Sequence, residues 1–81
     1  MVERAFITEN FASWIVNSMV DDLGRMFANN EKSIDIKRKA TTFYRRIEKQ
    51  LLPNMTTGVR KYFLQEYGTD IAFIREICEK M

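Results

Sequence analysis

Arg38, Thr42, Arg45 and Lys49 follow one another at intervals of four, three and four residues, the spacing that aligns side chains along one face of an α-helix. Lys39 and Arg46 flank this stripe, and Arg60 and Lys61 come after a short interruption containing Pro53. Cations arranged in this way neutralise phosphates, and the expected affinity for RNA or DNA is steeply salt-dependent and largely indifferent to base sequence. Thr42 would add a hydrogen bond to a phosphate. Like charges at helical spacing repel by roughly a few tenths of a kcal/mol per pair, and Glu48 is the only acid between Ile36 and Leu52 to offset them. A helix under structural demands alone more often alternates its signs.

The charge is concentrated here. From Lys32 to Lys61 nine basic residues face two acidic ones, a balance of +7, whereas the remainder holds four basic and nine acidic residues, a balance of −5. The net charge of +2 conceals this division. A solvated face serving solubility, or a docking surface for an acidic protein, would carry the same pattern. Thr56, Thr57, Arg60 and Lys61 stand where the recognition helix of a helix-turn-helix would begin, but the turn Leu52, Pro53, Asn54, Met55 lacks the glycine often found there, so the match is weak. No aromatic residue lies in the stripe to stack on bases.

Trp14 is the second residue to depart from a plain core pattern. It points toward the side of its helix that carries Ser13, Asn17, Ser18 and Asp21, with Phe11 the one large apolar group near it. The N-terminal segment would bury it through Phe6 or Ile7, or it would anchor a protein interface together with Phe11, since tryptophan is enriched among interface hot spots.

Other chemistry is missing. The chain has no histidine, and so neither the commonest general base nor the commonest zinc ligand. Cys78 has no partner for an activated thiolate and sits on an apolar line, as a core residue would. Gly24, Gly58 and Gly68 are isolated and match no phosphate-binding loop. Asp21 and Asp22 are adjacent and so point about 100° apart on a helix, poor geometry for a shared metal or an acid/base pair. Met19, Met26 and Met55 read as gap-filling core residues, and Tyr44, Tyr62 and Tyr67 as core-edge residues with wet hydroxyls. The expectation is a protein that is not an enzyme and uses no cofactor and no metal.

The elements that must position these residues follow from apolar spacing. Eighty-one residues make one domain, 1–81, that buries only roughly 60–65% of the surface its unfolded chain exposes. An apolar fraction of 46% with ten aromatic residues is too rich for disorder. Thr8 caps a first helix reaching Phe27, with Phe11, Ile15, Met19, Leu23 and Met26 on one face and Val16, Val20 and Phe27 widening it. Ser33 caps a second, whose apolar line is Ile36, Ala40, Phe43, Tyr44, Ile47 and Leu51 and which Pro53 ends near Leu52. Thr56 or Thr57 caps a third carrying Val59, Tyr62, Phe63 and Tyr67 up to a C-cap at Gly68, and a fourth runs from Asp70 with Ile71, Ile74, Ile77, Cys78 and Met81 on one side.

The fold class is therefore all-α, a compact bundle of about four short helices, with completion by dimerisation as a close alternative. A lone cysteine and the absence of a signal or membrane-spanning segment point to a cytoplasmic protein with no membrane partner. Two functions compete. One is a small regulatory binder whose basic second helix engages RNA or DNA; the other is a protein-interaction module, an inhibitor or adaptor, that meets an apolar protein surface or a second copy of itself through helix one and Trp14.

Overall fold

A computed structural model of the chain describes residues 7–80, so Phe6 and Met81 lie outside the described residues. Among the described residues three α-helices, not four, carry the fold: α1 (Glu9–Ala28), α2 (Ser33–Arg46) and α3 (Thr57–Lys80). No strand occurs among the described residues. The Thr8 hydroxyl oxygen accepts from the Phe11 N–H at 3.2 Å, as an N-cap should. At the other end of α1, Asn30 takes the left-handed conformation, φ 55°, while the Glu31 N–H reaches back to the Met26 carbonyl and the Asn30 N–H to that of Phe27. That is a Schellman closure, with asparagine in the place glycine usually takes.

The second cap falls one residue earlier than its sequence suggests. Ser33 is already helical, and Lys32 occupies the cap position without a side-chain bond; the Lys32 carbonyl accepts from the N–H groups of Asp35 and Ile36. Regular α-geometry then stops at Arg46, ahead of Leu52. Ile47–Leu51 forms a wider π turn, and Leu52–Asn54 a 3₁₀ turn containing Pro53. Proline removes one N–H donor from this end, and other groups serve its carbonyls. Leu52 N–H donates to Ile47, the Asn54 side-chain amide to Gln50 at 2.6 Å, and Ile7 N–H to Asn54 at 2.9 Å.

The largest departure from the sequence reading is at Gly68. Helix α3 passes straight through it, without positive φ, so the expected third and fourth helices are one. The reason lies in the apolar line. Val59, Phe63, Tyr67, Ile71, Ile74, Ile77 and Cys78 all contribute to the core, and their spacing keeps helical period across the glycine. A glycine inside a helix costs about 1 kcal/mol relative to alanine, less than interrupting that burial would.

Helix α3 packs against both other helices, which contact each other less extensively. Its start lies beside the start of α1, with Thr56 and Val59 near Ile7 and Thr8; further along, the Phe27 and Phe73 rings are 6.5 Å apart. These two helices therefore run parallel. Helix α2 runs the opposite way, placing Lys39 beside Met26 and Arg46 beside Trp14. The core is built from Ala12, Val16, Met19 and Leu23 of α1, Ile36, Ala40 and Phe43 of α2, Ile47, Leu51 and Met55 beyond it, and Phe63, Ile74 and Ile77 of α3. The inner line of α1 is thus rotated toward Ala12 and Val16 from the face its larger side chains suggest, leaving Phe11 and Phe27 exposed. Cys78 is half-buried against this core.

A Cβ built on Gly68 meets nothing within 4 Å. Gly68→Ala is accordingly expected to stabilise the protein by up to about 1 kcal/mol, raising the melting temperature by roughly 4–8 °C in a domain of this size. A lower melting temperature, as alanine in a left-handed C-cap would give, would contradict the continuous helix.

Candidate nucleic-acid interface

Helix α2 turns Ile36, Ala40 and Phe43 inward, and the opposite side of the same cylinder must face solvent. Arg38, Lys39, Thr42, Arg45, Arg46 and Lys49 are all exposed, but they do not form one uniform stripe. Arg38, Thr42 and Arg45 line a shallow hollow of about 290 Å³ with Ile34, Lys37 and Thr41. Thr42, Arg45, Arg46 and Lys49 line the next, of about 270 Å³, with Gln50. Thr42 and Arg45 belong to both, so the two make a continuous cationic trough along the outer face of α2.

The flanking cations turn toward α1. Lys39 places its ammonium 5.5 Å from the centre of the Phe43 ring, a cation–π distance, and lines a hollow with the acids Asp22 and Glu31. Arg46 reaches the other way along the same seam, into a hollow of about 150 Å³ shared with Trp14, Ile15, Ser18, Met19 and Asp22.

The trough keeps its charge because no acid among the described residues forms an ion pair with its cations. Among the described residues the ion pairs join Arg25 to Asp22 at 2.6 Å, Arg75 to Glu79 at 3.0 Å and Lys80 to Glu76 at 3.8 Å; none uses a cation of α2. Glu48 interacts with the Tyr44 hydroxyl. That hydrogen-bonding interaction, followed by partial desolvation and the negative charge of Glu48, raises the Tyr44 phenol above its ordinary pKa, with Arg75 of α3 opposing. The Arg75 guanidinium is itself held above its ordinary value, chiefly by its hydrogen bond to Glu79. Glu48, in the π turn that continues α2, therefore serves the α2–α3 side, away from the trough.

Two of the residues singled out from sequence carry structural duties. The Thr42 hydroxyl donates to the Arg38 carbonyl at 3.1 Å, the back-bonding common for threonine within helices, so its proton is not free for a phosphate oxygen. Arg60 is drawn to the break after α2, where its Nε and Nη2 donate to the Leu52 carbonyl at 3.2 and 2.9 Å. Neither Arg60 nor Lys61 lines the trough. The basic surface expected to run on from α2 into α3 thus centres on α2, and Arg60 fastens the turn between them.

Trp14 stays 68% exposed and Phe11 47%. Their rings are 6.3 Å apart with planes inclined at 37°, a tilted aromatic pair. Ile7, expected to cover the indole, instead packs against the core. What periodicity could not reveal is that Trp14 of α1 and Arg46 of α2 share one hollow, because that depends on how the two helices lie together. Among the described residues no helix is long and apolar enough to cross a membrane. Comparison of the chain with protein-family models, curated proteins and solved structures finds no match.

Separate roles for Arg60 and its neighbour have a direct consequence. Arg60→Ala should lower stability by about 1 kcal/mol in urea unfolding, the scale of a hydrogen bond made by an exposed charged group, whereas Lys61→Ala should stay within about 0.5 kcal/mol of the parent. Equal effects at both positions would remove the fastening role.

Proposed function

We propose that this protein is a small regulatory binder, without catalysis of its own, whose helix α2 engages the phosphate backbone of RNA or DNA. The observation that carries this reading is the cationic trough: Arg38 and Arg45 of α2 and Lys49 of the π turn that continues it lie exposed in line, and no ion pair among the described residues holds them. From Arg38 to Arg46 the helix rises about 12 Å at 1.5 Å per residue, and the π turn carrying Lys49 extends the line, long enough to meet several phosphates in succession. Concentrating like charges costs folding energy, and an anionic partner would return it by replacing counterions. The chain's lack of histidine favours binding over hydrolysis or metal chemistry.

A second reading is favoured by the exposure of Trp14 and Phe11: docking of an apolar protein surface, or of a second copy of this chain, on α1. It predicts dependence on those rings and indifference to the charge of α2.

Fluorescence anisotropy of labelled RNA and DNA oligonucleotides against salt concentration distinguishes the two. Three to four phosphate contacts give a slope of log affinity against log salt of roughly −2 to −4. Arg38→Glu combined with Arg45→Glu should reduce affinity at least roughly a hundredfold and flatten that slope by about 1.5 or more. Failure to bind either nucleic acid at low salt, or full affinity in the charge-reversed variant, would exclude the proposal and turn attention to protein partners.

A further inference from the structure

Trp14 and the cationic trough meet at one side chain. Arg46 lines the trough with Thr42, Arg45 and Lys49 and also the hollow beside the indole with Ser18 and Met19. Asp22 is in the wall of that second hollow, a group that would repel an anion, but its Oδ1 is held by Arg25 Nη2 at 2.6 Å, so its charge is already matched. The surface therefore offers a largely uncovered aromatic ring, 68% exposed, next to an arginine that continues into a line of unpaired cations.

We infer that Trp14 is a stacking platform for an unpaired base, and that the preferred ligand of this protein is single-stranded nucleic acid, its backbone lying along Arg46, Arg45 and Lys49. The inference rests on the proposal that the trough binds phosphates, and adds the form of the strand. In a duplex the base faces are occupied by their neighbours, so an exposed indole gains little from it. In a single strand every base has a free face, and aromatic stacking combined with a cationic groove is the usual basis of sequence-tolerant binding. Charge complementarity selects this occupant over an apolar protein surface: the cation in the hollow beside Trp14, Arg46, leads outward to Arg45 and Lys49, whereas the aliphatic members of that hollow, Ile15 and Met19, are half-buried and buried.

Trp14 is the sole tryptophan, so its emission reports this site alone. The full chain is titrated with a labelled oligothymidine or oligouridine of about twelve nucleotides, and with a blunt duplex of similar length, recording both tryptophan emission and probe anisotropy. The single strand should quench the emission in step with the anisotropy and bind roughly tenfold more tightly than the duplex. Trp14→Ala, at an exposed position whose helicity is checked by circular dichroism, should lose roughly tenfold or more in single-strand affinity while leaving duplex affinity unchanged; Trp14→Phe should recover part of the loss. Single-strand binding without quenching, with Trp14→Ala at full affinity, would overturn the platform while leaving backbone binding by α2 in place. Absence of binding to either probe at low salt would overturn both.

Discussion

The continuous apolar line of α3 is the constraint on which the rest of the molecule depends. Phe63, Ile74 and Ile77 are buried along it, with Val59, Tyr67, Ile71 and Cys78 partly so, and it is the surface that α1 and α2 share. A chain of this size has little apolar area to spare, so two helices that both lean on a third gain more burial than they would by packing closely on each other. The contact between α1 and α2 is accordingly the looser one, and it is along that seam that the hollows containing Lys39 and Arg46 open. The candidate binding surface is a consequence of how the core is shared.

Electrostatics follows the same division. The ion pairs among the described residues lie within α1 and within the C-terminal part of α3, each at the i,i+3 or i,i+4 spacing that exposed helices use, and each worth only about 0.3–0.5 kcal/mol. Helix α2 has no such arrangement. Asp35 sits in its first turn and Glu48 in the π turn that follows it; Glu48 turns to Tyr44 and faces Arg75, and neither acid forms an ion pair with the cations of the outer face. That segregation is what distinguishes a surface suited to a polyanion from an ordinary solvated helix.

Much of this was legible in the sequence because it is local. The Thr8 cap, the inward line of Ile36, Ala40, Phe43, Ile47 and Leu51, and the outward placing of Arg38, Arg45 and Lys49 all depend on spacing within one helix. Gly68 misleads because glycine signals a helix end only where the backbone needs a left-handed residue, and a tertiary core spanning both sides of it overrode that local preference. Ala12 escapes notice as a core residue because it is small, although it is fully buried. The commitments of Thr42 to the Arg38 carbonyl and of Arg60 to the Leu52 carbonyl are set by groups that composition does not display. The meeting of Trp14 with Arg46 could not be read at all, since thirty-two residues separate them and only the packing of α1 against α2 brings them together.

On the proposed reading, the outer face of α2 and the Trp14 side of α1 form a single surface for nucleic acid. A two-dimensional ¹H–¹⁵N NMR titration of the labelled protein with an unlabelled single-stranded oligonucleotide follows that surface residue by residue. The Trp14 indole N–H and the backbone amides from Arg38 to Lys49 should shift together with one apparent affinity, while those of Glu76 to Lys80 at the far end of α3 stay in place. Shifts confined to α3, or an indole signal that does not move while α2 does, would contradict a single surface joined at Arg46.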